Sequence, residues 1–399
     1  MSGIRVVELA AWTYVPVAGA VLTEWGADVI KIEHPETGDP QRGLVSSGLI
    51  PAGGINHMFE LPNHGKRSVG LDLKSPQGHE TLMRLVEQAD VFLTNFRPSA
   101  RRKLGIEVED IRARNERIVY VRGSAAGQKG PEAEKGGYDM TSFWSRSGAA
   151  QAVSTGLGYT TTMPGPAFGD VTAGLTLAGA ISAALLHRER TGEALTVDGS
   201  LLAQGAWSMG PTIAGAHAFG IDEMPRPTPD RASSPLVNSY RTADGRYLTL
   251  VMLETDRFWP ELMTVLGCPE YIEDPRFDSH AKRIANTADA CALIADRFAR
   301  KTLEEWQEIL KDINGAWSVV QRPREVVDDP QMTANDYVAD LKDVDGKDFK
   351  LVAAPIQFNG RSGEVRRAPA HGEHTDEVLQ EVGLSMEEII ELKVAGAVL

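Results

Sequence analysis

The sequence predicts an α/β protein: a large domain on a doubly wound, mainly parallel, Rossmann-like sheet, with a smaller α+β domain. Three observations predict it. Short β-branched runs alternate with helical stretches over residues 4–122, the pattern of a parallel sheet built from βαβ units. Residues 221–235 are rich in proline and polar side chains, and beyond them the pattern changes to a hairpin followed by helices. With 399 residues, 42% hydrophobic and 24% charged, the chain has a globular composition and a length for two or three domains. The domains expected are 1–224 plus 331–399 (large) and 225–330 (small).

The elements follow in order. Residues 4–9 read as a buried strand, 16–25 as a helix and 27–33 as a second strand ending at His34. The first strand–helix loop, 10–15, contains no G-x-G-x-x-G, so neither NAD nor FAD is expected. Residues 67–73 form the next strand, and Ser75-Pro76 gives an N-cap with proline at the first helical position. A helix over 79–88 leads to a strand over 90–94, with Asn95, Phe96 and Arg97 at its carboxyl end. A basic helix at 99–103, a helix at 108–114 and a strand at 117–122 complete this half. A Gly-rich loop, 123–137, precedes a helix from Tyr138 through Ala150. A strand at 194–198 and one long helix at 201–219 follow. In the small domain the turn Asp244-Gly245 joins two strands, with helices at 257–266, 287–300 and 303–311. Strands at 349–353 and 356–358, then helices at 374–382 and 386–393, close the chain.

Charge and cysteine usage exclude some functions. A net charge of −14 disfavours nucleic-acid binding. Against it stand local basic clusters at Lys66-Arg67, Lys74, Arg97 and 101–103. Cys268 and Cys291 lack C-x-x-C spacing, which argues against a disulfide scaffold and a zinc site and suits the cytoplasm. No metal is expected. The longest apolar run, near 172–186, falls short of a membrane span, and no leader pattern opens the chain. Membrane association is not expected.

Asp170 stands out because of its setting. The segment P-G-P-A-F-G at 164–169 holds the chain out of regular structure, and a helix rich in Ala, Leu and Gly follows. Asp170 is placed where that helix begins, with free N–H groups and the positive dipole end keeping its carboxylate ionised. An N-cap with no further role is the plain reading of that pattern. In doubly wound sheets, however, ligands bind beyond the carboxyl ends of the strands. Thr13, Tyr14, Lys74, Asn95 to Arg97 and the 123–127 loop lie at or near those ends.

A further set of segments carries a family resemblance: W-G-A-D-V-I-K-I-E at 25–33, N-H-G-K-R-S-V-G-L-D-L-K at 63–74 and A-D-V-F-L-T-N-F-R-P at 89–98. With them come G-Y-D at 137–139, F-G-D at 168–170 and A-P-A-H-G-E-H-T at 368–375. In this order the chain resembles the class III CoA-transferases, the group containing formyl-CoA and carnitine CoA-transferases, nearly end to end. The resemblance implies that Asp170 is the nucleophile. It implies that CoA is met by His34, Leu71, Asp72, Leu73, Lys74, Asn95, Phe96, Arg97 and Lys103, with Tyr138 near the reacting end and Thr13 close to the acyl group; Tyr14, at the end of the first strand, joins them as a candidate contact. Acyl-CoA and a free carboxylic acid would be the substrates, with no permanently bound cofactor, and an acyl-aspartyl anhydride and an aspartyl-CoA thioester the intermediates. The fold it implies is an interlocked homodimer.

Two positions depart from the family pattern. Thr13 stands where members often carry Gln, and 233–239 lacks the Gly-rich loop of oxalate-using relatives. Oxalate and formate are therefore disfavoured. The α-methylacyl-CoA racemases share the fold but need a His-Asp pair, which here reads Tyr138-Asp139. A tyrosine of pKa about 10 is a poor base at neutral pH. A non-catalytic acyl-CoA-binding protein is the remaining alternative. Lys74, Arg97 and Lys103 also read as surface charges, Tyr138 as a packing residue, Asp139 as a cap, and His371 and His374 as structural. Trp12, Trp144 and Met163 line either an acyl pocket or the core.

Overall fold

The computed structural model describes residues 1–48 and 55–399. The described chain divides into two compact units, Met1–Met224 with Asp329–Leu399, and Pro225–Asp328. In the larger unit, strand β1 (Arg5–Leu9) leads through helix α1 (Tyr14–Glu24) to β2 (Asp28–Glu33). Helix α2 (His57–Asn63), β3 (Arg67–Gly70), α3 (Pro76–Glu87), β4 (Val91–Thr94), α4 (Pro98–Leu104) and α5 (Val108–Arg114) follow. Then come β5 (Val119–Ser124), α6 (Ala149–Ser154), α7 (Phe168–Thr191), β6 (Thr196–Ser200), α8 (Leu201–Ser208) and α9 (Gly210–Phe219).

The six strands pair in parallel in the order β3-β2-β1-β4-β5-β6. The chain reverses direction across the sheet between β1 and β4, so the loops after these two strands flank the crevice where such folds bind ligands. Burial explains the strands: every residue of β4 is buried, as is all of β1 after Arg5. One face of the sheet packs against α1 and α7, the other against α3, α5 and the C-terminal helices. All eleven residues of α1 are buried. It crosses α7 closely because Gly174 has no side chain; a Cβ there would sit 2.6 Å from Val17 and 2.7 Å from the Tyr14 carbonyl oxygen.

Helix α7 is longer than the expected apolar run. Its 24 residues, with mean hydropathy 1.4 over the best window, reach the length and apolarity of a membrane span, contrary to the sequence reading. It packs here as a core helix: Ala173, Leu177, Ala178, Ile181 and Ala184 are buried, and Arg188 near its end pairs with Asp90 at 2.7 Å.

Other expectations need correction. The helix expected from Tyr138 to Ala150 is a π-helical turn, Met140–Ser145, separated from α6 by Gly148 at φ 87°. The helix expected over 201–219 breaks at Met209, ahead of Pro211, into α8 and α9.

In the smaller unit, β7 (Val237–Arg241) and β8 (Tyr247–Val251) form the antiparallel hairpin, and β9 (Trp317–Val319) pairs with β8. Helices α10 (Thr255–Val265), α11 (His280–Ala285), α12 (Thr287–Phe298), α13 (Leu303–Leu310) and α14 (Pro323–Val326) accompany this sheet. The unit has its own core around Trp259, Phe298 and Trp306. The chain then re-enters the larger unit through α15 (Pro330–Ala334), the hairpin β10 (Val338–Lys342) and β11 (Asp348–Val352), α16 (Thr375–Glu381) and α17 (Met386–Val394). The strand partner of β11 lies upstream, not at 356–358, which forms only an isolated bridge between Phe358 and Arg361. The turn explains the pairing: Asp343 Oδ1 accepts from the amides of Asp345 and Lys347, and Gly346 takes φ 79°.

Candidate active site

The loop after β1 is held at successive residues by buried side chains. Lys31 Nζ donates to the Ala10 carbonyl at 2.9 Å and pairs with Asp39 at 2.8 Å. Asn95, at the end of β4, accepts from the Ala11 amide at 3.2 Å and donates to the Ala11 carbonyl at 2.6 Å. Asp39 Oδ1 accepts from the amides of Trp12 (3.3 Å) and Gln41 (2.9 Å). Trp12 is thereby kept at φ 67°, a backbone region costly for a large side chain. Its ring meets Tyr138 edge to face, 5.6 Å between centroids at 88°.

Asp170 is the third residue of α7, not its cap. The cap position falls to Ala167, at φ 59° with no side-chain hydrogen bond. The cover for this helix start comes from Asp139, which is buried beside the amides of Gly169 and Asp170. Asp139 Oδ1 accepts from the Met140 amide at 2.7 Å, while Oδ2 is buried with no hydrogen-bond partner among the described residues. Gly169 is required here, because a Cβ would lie 2.5 Å from the Phe143 ring.

The sequence places an ionised carboxylate on the helix end, and burial here opposes that ionisation. Burial, and then the Asp139 charge, push the Asp170 carboxyl from 3.8 up to about 7. Desolvation and a like charge outweigh the helix end. Asp139 is itself raised by burial, against the pull of the surrounding amides. Tyr14, first residue of α1, is buried; burial and the Asp170 charge raise its phenol well above the ordinary value.

Two neighbouring cavities receive most of the residues singled out from sequence. Asp170, Tyr14, Asn95, Phe96, Arg97 and Tyr138 line the first, together with Trp12 and backbone of the Gly123 loop. His34, Leu71, Asp72, Leu73, Lys74 and Phe96 line the second, of about 310 Å³. Phe96 belongs to both. Thr13 and Lys103 line neither: Thr13 is buried, its Oγ1 accepting from Gln41 Nε2 at 2.7 Å, and Lys103 is exposed on α4. Lys74, Arg97 and Lys103 are exposed and make no ion pair among the described residues. Trp144 is a core residue, its indole donating to the Thr161 carbonyl at 3.0 Å, and Met163 is half-buried against the same core.

Sequence reasoning missed the roles of Lys31, Asp39 and Gln41. A signal existed for the first: Lys31 interrupts a β-branched strand and is fully buried, so it requires buried acidic partners. Glu8 and Lys66 join the same cluster, Lys66 Nζ lying 2.7 Å from both Glu8 oxygens. Burial lowers Lys66 to about 7.

A parallel sheet of this order, with a carboxylate at its crevice and unpaired cations beside it, defines a doubly wound α/β protein arranged for an anionic ligand. Residues 1–375 match the family described as CoA-transferase family III, and the chain belongs to that family. It is similar to the (R)-2-hydroxy-4-methylpentanoate CoA-transferase of Clostridioides difficile, 33% identical over 98% of this chain and 98% of that protein. Similarity extends to the cinnamoyl-CoA:phenyllactate CoA-transferase of Clostridium sporogenes, 31% identical over 98% of this chain and 95% of that one. The crystal structure of a CAIB/BAIF family protein from Brucella suis matches with a TM-score of 0.82 at 29% identity, covering 96% of this chain and 98% of that chain. The chain is thus an enzyme that transfers coenzyme A between an acyl-CoA and a carboxylic acid.

Proposed function

We propose that Asp170 is the nucleophile of this transfer and that the paired cavities hold the acyl-CoA. The observation that carries the reading is the Asp170 carboxylate at the first turn of α7, in a cavity at the sheet's crevice. Its oxygen adds to the thioester carbon, and the C–S bond breaks to leave an acyl-aspartyl anhydride and CoA thiolate. The thiolate attacks the aspartyl carbonyl and frees the first acid. The acceptor carboxylate then attacks the aspartyl thioester, and the returning thiolate takes up the new acyl group.

The raised pKa of Asp170 bears on the hardest of these steps. An ordinary carboxylate at about 4 is a far better leaving group than a thiolate at about 8.5, a gap of roughly 6 kcal/mol if leaving ability followed pKa fully. At about 7, the gap shrinks to ~2 kcal/mol. Burial of Asp170 beside Asp139 therefore brings the two leaving groups closer to balance, and binding of the remote CoA moiety supplies the remainder.

The cavity of His34 and Leu71 to Lys74 suits the nucleotide end of CoA, and Arg97 a phosphate. Lys103, outside both cavities, is assigned at most a long-range attraction. The Trp12–Tyr138 pair offers an apolar rim for the acyl group. The acids named for these two relatives are branched and aromatic, and a bulky acyl group of that kind is the reading we favour here. Racemisation is disfavoured because no histidine lines the Asp170 cavity among the described residues.

A homodimer, interlocked as the family resemblance implies, belongs to the same proposal. None of α9 is buried, and Trp207 (82% exposed) and Phe219 (73%) lie bare on α8 and α9, the kind of apolar surface a second copy covers. A cytoplasmic location is supported by the two free cysteines. The testing experiment incubates the protein with a panel of acyl-CoA donors and free acids and follows the CoA products by mass spectrometry. Exchange of an α-proton in deuterated water without CoA transfer would overturn the reading.

A further inference from the structure

Tyr14 sits in a seat that two glycines make for it. Gly123 on β5 and Gly199 on β6 are register partners, directly opposite one another across the parallel pair. A Cβ on Gly123 would meet Val15 Cγ2 at 2.1 Å and come 3.0 Å from Tyr14 Cε1, and a Cβ on Gly199 would come 2.4 Å from the Tyr14 hydroxyl. The ring therefore lies over a patch of sheet that the two glycines leave bare, shared at Gly123 with Val15. Its backbone is pinned as well, since Gly174 lets α7 approach the Tyr14 carbonyl. Gly174 is one turn beyond Asp170, on the same face of α7, so the crossing that fixes Tyr14 also fixes Asp170 beside it.

Tyr14 lines the Asp170 cavity and, with Gly199, a further cavity of about 400 Å³; Asp170 acts on the phenol electrostatically, yet no hydrogen bond joins them. No hydrogen bond to any described residue reaches the Tyr14 hydroxyl. Tyr14 and the Asp170 carboxylate thus border a common space, the arrangement an acyl carbonyl between them would complete.

We propose that the Tyr14 hydroxyl is a catalytic hydrogen-bond donor to the acyl carbonyl oxygen during attack by Asp170. This rests on the acyl-aspartyl reading above. As the aspartyl oxygen bonds to the carbonyl carbon, the C=O pair moves onto oxygen, and the phenol O–H stabilises that oxyanion. When the C–S bond breaks and thiolate leaves, the pair returns; the phenol proton is never transferred. Burial and the nearby Asp170 charge keep the phenol protonated, which suits a donor and not a base. Neither the Gly-rich loop nor the helix end needs to supply this contact alone.

The test uses the full-length enzyme with a donor and acceptor pair on which the wild type turns over. Tyr14→Phe keeps the ring in its glycine seat and deletes one oxygen. It should lower kcat by 10²–10³-fold, the usual effect of losing one oxyanion donor, with KM for the acyl-CoA within threefold and the melting temperature unchanged. Gly199→Ala pushes on the hydroxyl and should also lower kcat, but in a Tyr14→Phe background it should cost almost nothing further. A purely structural tyrosine would instead give additive losses and a raised KM, and that result, or a kcat within threefold of wild type for Tyr14→Phe, would overturn the proposal. Failure of the wild type to move CoA to any acid would remove the reaction reading itself, and the donor role with it.

Discussion

Two carboxylate pairs of the larger unit are treated in opposite ways. Glu8 and Asp39, beneath the β1 loop, are matched by Lys31 and Lys66 at 2.7–3.5 Å. Asp139 and Asp170, at the start of α7, have amides and each other, and neither has an ion-pair partner among the described residues. The first group is a neutralised frame that holds the loop of Ala10 to Trp12. The second keeps charge uncompensated, which costs stability and yields a carboxylate of raised basicity. On the proposed reading, the reactivity of Asp170 comes from omitting the cation that the frame contains.

The strongest way to break this contrast is Asp170→Asn. Transfer activity should fall by at least about 10³-fold, measured as CoA exchange. Stability should move the other way. The folded carboxyl titrates at about 7 against an ordinary 3.8, so the folded state holds its proton more tightly and loses stability as pH rises between those values. Asp170→Asn should therefore raise the melting temperature at pH 8 and leave it unchanged near pH 4; an equal shift at both would separate Asp170 from the electrostatic account.

In the frame, Lys66→Met should do the reverse and leave Glu8 buried with Lys31 alone, at 3.5 Å. Denaturant unfolding should register a loss of about 3–5 kcal/mol. A smaller loss would mean the cluster tolerates a missing cation as readily as the α7 start does.

Asp139→Asn sharpens the comparison further. It keeps an acceptor for the Met140 amide but removes the like charge from Asp170. With Asp170 titrating at about 7, kcat/KM should fall as pH drops below that value. The variant's acid limb should lie lower by roughly one unit, and an unmoved limb would deny the coupling. The smallest effect concerns the cations: Arg97→Ala should raise KM for acyl-CoA by about tenfold, as for one charged hydrogen bond, and Lys103→Ala by less than about twofold.

The sheet half of this molecule was legible because its signals are local. Ser75 caps α3 as its sequence indicates, accepting from Gly78 at 2.9 Å, and the runs at 90–94 and 27–33 form buried strands within a residue of their expected ends. The Gly-Asp motif located Asp170, but not its protonation. A helix start is read from neighbours in sequence, whereas burial and Asp139, thirty-one positions upstream, are set by packing. The same holds for Ala167 as a left-handed cap and for Asp39 beneath Trp12, since nothing adjacent in the chain reports the contact. Tyr14 was flagged by its place after β1, but the glycine seat depends on the register of β5 and β6.

The most direct test is peptide mapping of the enzyme quenched during turnover, with hydroxylamine added to trap activated carboxyls. The account predicts a mass change on the peptide carrying Asp170, dependent on acyl-CoA and absent from Asp170→Asn. Turnover with that peptide unmodified, or a modification that falls on Asp139 in its place, would contradict it.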